Sequence, residues 1–168
     1  MPGELTRLVP LSRIGAAGLS FMVRASVAEC AAIATRMDLF AIASLHCTFD
    51  LTVDGDGVSV TAHGRLNARV TRTCVISAED FETDVDDRFD VHFVPAGTER
   101  DDPDPDLPDE IPYEGGSIDL GEATAEQLAL VLDPYPRLQG AELPDSETGE
   151  NPSPFAVLGL PGPDKIRH

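Results

Sequence analysis

Across residues 45–53 the odd positions Leu45, Cys47, Phe49, Leu51 and Val53 are apolar, and the even positions His46, Thr48, Asp50 and Thr52 are polar. A period of two is what a strand with one buried face requires. After Asp54-Gly55-Asp56-Gly57 the alternation resumes over residues 58–70. Val58, Val60, Ala62, Leu66, Ala68 and Val70 face one way, and Ser59, Thr61, His63, Arg65 and Arg69 the other. Asp/Gly pairs between two such runs predict a hairpin. A third run, residues 84–94, sets Val85, Phe89, Val91 and Phe93 against Asp84, Asp86, Arg88, Asp90 and His92. The three runs predict an antiparallel meander with one dry and one wet face.

Two helices are expected to cover the dry face. Ser26 and Glu29 have capping-box spacing, and Val27, Cys30, Ala31, Ala34 and Met37 then recur at helical intervals, so residues 26–37 read as the first helix. The second spans residues 121–132, with Leu128, Val131 and Leu132 on one face and Pro134 and Pro136 blocking continuation. Both Asp119 with Glu122 and Thr124 with Gln127 could start it. Residues 19–25 and 118–120 read as short strands at the sheet edges. The fold class is therefore α+β, in one domain spanning residues 1–168.

Two stretches break the pattern. Over residues 95–116, five prolines exclude regular structure, while Glu99, Asp101, Asp102, Asp104, Asp106, Asp109 and Glu110 repel one another; the expectation is a long acidic loop. Residues 138–168 read as an extended tail that ends in an apolar patch, Pro152-Ser153-Pro154-Phe155-Ala156-Val157-Leu158. Such a patch is expected to dock, on its own core or on another chain.

Charge changes this picture because it is unevenly spread. Residues 1–78 sum to +1, residues 79–126 to −16 and residues 127–168 to −3, which recovers the net −18. The middle stretch must repel phosphate and attract cations. Three widely spaced cysteines, Cys30, Cys47 and Cys74, read as free thiols. The mildly apolar residues 11–23 are too short and glycine-rich to span a membrane, so a soluble, cytoplasmic chain is expected.

Candidate chemistry is sparse. Gly115-Gly116 has no basic residue beside it to meet a phosphate, which excludes a P-loop or dinucleotide fingerprint. The histidines and cysteines include no Cys-x-x-Cys or His-x-x-x-His pair, and no metal or other cofactor is expected. His46 and His63 fall on the wet face of facing strands, where pairing could bring them together. Glu114 and Asp119 flank the glycine turn and are the best-placed carboxylates for a hydrolase, against turn polarity and helix capping as the plainer roles.

Three segments carry a resemblance: Val70-Thr71-Arg72-Thr73-Cys74-Val75-Ile76-Ser77 before Phe81; Ile118-Asp119-Leu120 leading into a Leu-rich helix that ends at Pro134; and Asn151-Pro152-Ser153-Pro154-Phe155-Ala156-Val157-Leu158. In order and spacing they resemble the YceD family of bacterial large-ribosomal-RNA accumulation proteins. The resemblance implies a role in large-subunit ribosome biogenesis without an enzymatic reaction. Many relatives have Cys-x-x-Cys where this chain has Cys74 and Ser77, and some carry further cysteines where it has Pro136-Arg137-Leu138-Gln139. An inherited zinc site is therefore not expected.

The expected function is that of a non-enzymatic accessory factor whose acidic region holds a basic ribosomal or assembly protein. Its partner-binding residues would be Asp101, Asp102, Asp104, Asp106, Asp109 and Glu110, with Pro154 and Phe155. The alternatives are an RNA-contacting factor using Arg65, Arg69 and Arg72, and a hydrolase using Glu114 and Asp119.

Overall fold

Alternation governs the observed fold, and the strands it builds run longer than the pattern marks. A computed structural model describes residues 3–102 and 104–141. In chain order it contains β1 (Leu8–Pro10), a 3₁₀ turn (Leu11–Arg13), β2 (Leu19–Arg24), α1 (Val27–Arg36), β3 (Ala41–Val53), β4 (Val60–Thr73), β5 (Asp80–Pro95), β6 (Asp109–Tyr113), β7 (Ser117–Asp119) and α2 (Leu120–Val131). The fold is α+β. Its main sheet has the order β2-β3-β4-β5-β6, while β1 and β7 form a separate antiparallel pair.

The three expected strands pair consecutively. Phe49 lies opposite Gly64 and Gly64 opposite Phe89, and the Phe49 and Phe89 rings meet edge to face at 5.7 Å. Leu45, Cys47, Phe49, Leu51, Val60, Ala62, Leu66 and Val70 are all buried. Val58 is not: it sits in the turn before β4 begins and is exposed. Register shifts between Ile42 and Ser44, which explains why Ile42 and Leu45 are both buried although three positions apart. In the turn itself, Asp56 Oδ1 accepts from Val58 N (2.9 Å) and Ser59 N (2.8 Å), and these bonds with the Ser59 hydroxyl hold its carboxyl down at about 2.

Both helices start where a cap is available. Ser26 and Glu29 close a reciprocal capping box, Glu29 N donating to Ser26 Oγ (3.2 Å) and Ser26 N to Glu29 Oε2 (2.7 Å). The buried face of α1 is Cys30, Ile33 and Ala34; Val27 and Ala31 are exposed, because Val27 occupies the first turn, where its side chain points back past the helix end. Asp119, not Thr124, caps α2. Thr124 lies inside the helix, fully buried, its hydroxyl donating to Leu120 O (2.7 Å). The buried stripe Leu120, Thr124, Leu128 advances in steps of four toward half-buried Leu132, so it passes Val131 by and leaves it exposed.

The N-terminal segment, which carried no periodic signal, joins these parts. Leu5 and Val9 are completely buried. Arg7 N donates to Asp119 Oδ1 (2.8 Å), Leu120 N donates to Arg7 O (3.0 Å), and the Arg7 guanidinium forks onto both Glu29 carboxylate oxygens at 2.9 Å. Its Nη2 also reaches Arg24 O (3.0 Å). The close approach needs Gly121, where an added Cβ would lie 2.5 Å from Leu5 O and 2.8 Å from Arg7 N.

The expected loop over residues 95–116 is shorter than the proline count suggested. Asp109–Tyr113 is a strand, running parallel to β5 with Phe93 opposite Ile111 and Val94 opposite Pro112. Pro112 is tolerated because β6 is an edge strand with no second neighbour to require its N–H. Ile111 and Tyr113 pack against the core, which offsets the repulsion of the adjacent carboxylates. Only residues 96–108 link β5 to β6.

Two outcomes follow. Gly121→Ala should lower stability by about 1–3 kcal/mol by pushing α2 off the N-terminal backbone, whereas Gly55→Ala, with nothing within 4 Å of the new Cβ, should be neutral in urea unfolding. Hydrogen bonds from Arg7 and Ser26 hold the Glu29 carboxyl down at about 2. A depressed folded value stabilises above the ordinary carboxylate pKa of about 4.3 and is lost as pH falls toward 2. Glu29→Gln should therefore flatten the loss of melting temperature between about pH 5 and 2.

Candidate functional site: an acidic cleft between the edge strand and the second helix

The corner that positions the site is the turn Glu114-Gly115-Gly116. Both glycines have positive φ, 70° and 75°, which lets β6 reverse into β7 and α2 begin directly afterwards. Edge strand and helix consequently diverge from one corner with a cleft between them. One part of it, about 400 Å³, is lined by Glu99, Asp104, Asp109, Glu110 and Glu126 around the apolar Val91, Ile111, Ala123 and Leu130. The other, about 800 Å³, shares Glu110, Ile111, Ala123 and Glu126 and adds Glu114, Asp119 and Glu122. Among the described residues, Arg100 is the one basic residue on either lining.

The carboxylates are not equivalent. Glu110 is an internal ion-pair partner: its carboxylate accepts from Arg100 Nε (2.8 Å) and Arg100 N (2.7 Å), with His92 Nδ1 at 3.9 Å, and its side chain is only 14% exposed. It fastens the loop to β6. Asp101, Asp102, Asp104, Asp106 and Asp109 are exposed. Asp104 Oδ1 accepts from Asp106 N (3.0 Å), and Glu99 Oε2 from Gly97 N (2.6 Å), so parts of the loop have defined local turns. Burial and the neighbouring carboxylates Glu122 and Asp119 push the Glu126 carboxyl above its ordinary value. A cation arriving there would relieve that repulsion. Glu122 and Glu126 were missed in the sequence because nothing in a helix's polar face announces which strand it will oppose.

Glu114 and Asp119, the hydrolase pair, do line one cavity. Asp119 Oδ1, however, is occupied by three backbone N–H groups, from Arg7 (2.8 Å), Gly121 (3.0 Å) and Glu122 (3.2 Å). That is a structural cap, and Glu114 is exposed in the turn.

The hairpin arginines are already engaged. Arg65 forks onto Asp86 (2.9 and 3.2 Å) and Arg69 onto Asp84 (2.8 and 3.4 Å) across the wet face. Arg72 donates instead to Asp133 O, and burial lowers its pKa. The three therefore do not form a free basic patch. His63 lies opposite Asp50 and Asp90, while His46 lies opposite Asn67, so the register keeps the two histidines apart.

Cys30, Cys47 and Cys74 are free and buried. Cys74 Sγ accepts N–H bonds from Leu138 (3.3 Å) and Ser77 (3.5 Å), which bring its thiol down to about 7. Val75 N donates to Pro136 O (2.9 Å). The two stretches at which relatives were expected to carry cysteines thus lie side by side. Among the described residues no group of three His, Cys, Asp or Glu side chains is placed to hold a metal ion, and no helix is long and apolar enough to cross a membrane. Pro154 and Phe155 lie outside the described residues.

The fold is α+β, with a carboxylate-lined cleft between its edge strand and second helix. Residues 62–159 match the family described as large ribosomal RNA subunit accumulation protein YceD, and the chain belongs to that family. Neither curated proteins nor solved structures gave a match.

If Asp119 serves as a cap, Asp119→Ala should lower stability by about 0.5–2 kcal/mol, while Asp119→Asn, an equally good capping residue, should retain most of it. Urea melts of the two variants check this.

Proposed function

We propose that the chain is a non-enzymatic, cytoplasmic accessory factor of large-subunit ribosome biogenesis. It supports accumulation of large-subunit ribosomal RNA by holding a basic ribosomal protein or assembly factor on its acidic region. The observation that carries this reading is the cleft in which Glu99, Asp104, Asp109 and Glu126 surround an apolar floor with only Arg100 to oppose them. Lysine and arginine side chains suit such a surface, since their aliphatic stems can lie on Val91, Ile111 and Leu130 while their charged ends meet carboxylates. Exposed loop acids at Asp101, Asp102, Asp104, Asp106 and Asp109 extend the field outward and raise the rate of encounter. The family's name supports the ribosomal setting. The ion-paired state of Arg65 and Arg69 favours a protein over an RNA as the direct partner.

Replacing those five loop aspartates by Asn should change stability by less than about 0.5 kcal/mol, since they are exposed. Association with the basic partner should slow and lose most of its salt dependence, and cells relying on the variant should accumulate less large-subunit ribosomal RNA. Full complementation of a deletion strain by this variant would overturn the steering role. Stronger RNA binding by it, abolished by Arg65→Ala and Arg69→Ala, would point to the hairpin instead.

A further inference from the structure

A second concavity runs along α2 on the side of α1. About 1020 Å³ in volume, it extends from Glu122 in the first turn of α2 to Pro136 beyond its end, with the end of α1 opposite, and its apolar lining includes Met37, Leu39, Phe40, Leu132, Pro134 and Pro136. Phe40 is 67% exposed, an unusual state for a phenylalanine between a helix and a central strand. We propose that this groove is the seat of the chain's own apolar segment, residues 152–158, with Phe155 as the anchor against Phe40.

Three observations select this occupant. The first is where the described chain leads. Pro134 and Pro136, which follow α2, form one wall of the groove; Leu138 is then tied to Cys74, and the description ends at Ala141, five residues beyond that wall. Ala141 and Pro152 are separated by ten residues, a path that spans about 36–40 Å when extended, so the segment reaches back without strain. The second is charge. The groove lining carries Asp38, Glu122, Glu126 and Asp133 against two arginines, Arg36, which is paired with Glu4 and Glu122, and Arg72, which donates to Asp133 O. An acidic occupant would be repelled, and a second copy would bring another net −18. Residues 151–162 contain no charged side chain, which suits an apolar floor inside an acidic rim. The third is extent: the family match runs from within β4 to residue 159 and so takes in this segment together with the α2 wall of the groove, though not the Met37–Phe40 wall. This inference does not depend on what the acidic cleft binds.

The full-length chain provides the test. Chymotrypsin cleavage after Phe155 should be at least tenfold slower than in an unstructured peptide of residues 148–162, and Phe40→Asp, a change at an exposed position, should restore the peptide's rate. In the reverse direction, Phe155→Asp should speed amide exchange at residues 37–40 and 129–136 tenfold or more while β3–β5 stay unchanged, and Phe155→Leu should preserve protection. Peptide-like cleavage of the wild-type chain, or identical exchange in the groove for wild type and Phe155→Asp, would overturn the proposal. Protection that appears only as protein concentration rises would overturn it too, in favour of exchange between two copies.

Discussion

Both helices owe their positions to one junction at Arg7. Its backbone N–H and carbonyl close onto Asp119 and Leu120 at the start of α2, and its guanidinium forks onto Glu29 at the start of α1. One residue therefore completes two helix N-termini, the places where a helix leaves backbone donors without partners. Asp119 serves two such donors, Gly121 N and Glu122 N, and Arg7 N besides with one oxygen, and Glu29 both closes its own capping box and receives the fork. The small side at Gly121 is what allows the approach. Because α2 forms one wall of the acidic cleft and one wall of the apolar groove, its placement by Arg7 sets the shape of both.

The period-two pattern made the meander legible, since a strand buried on one face can satisfy only one register. The start of α1 was legible for a local reason, since Ser26 with Glu29 places an acceptor beside free N–H groups, whereas that of α2 was not, because Asp119 with Glu122 and Thr124 with Gln127 offer the same spacing and only the fold puts Asp119 at the cap. What escaped is long-range. Arg7 lies 112 residues from Asp119, and nothing in a short stretch without periodicity signals such a partner. The strand at Asp109–Tyr113 was hidden by its own chemistry, because prolines and carboxylates argue against strands on average, whereas Ile111 and Tyr113 alone supply the apolar side that an edge strand needs.

The candidate site was half legible. Acid density singled out residues that line one side of the cleft, but the sequence could not tell paired charge from unpaired charge. Asp84 and Asp86, both in the acidic stretch, are spent on Arg69 and Arg65, and Glu110 is spent on Arg100. Nor could it show that Glu122 and Glu126 of α2 would join the loop acids, because that depends on a chain reversal at Gly115-Gly116 followed at once by a helix.

This division of charge bears on how the protein can act. On the wet sheet face acids and arginines neutralise one another at short range, so that surface projects little field beyond a Debye length of about 8–10 Å. In the cleft the balance is broken: Glu99, Asp104, Asp109 and Glu126 face one arginine that Glu110 already holds. A half-enclosed apolar floor strengthens that excess relative to open water, and Glu126 answers by holding its proton more tightly than a free carboxyl. The cleft therefore gathers carboxylates that outnumber its one arginine, whereas on the sheet face Arg65 and Arg69 pair with Asp86 and Asp84.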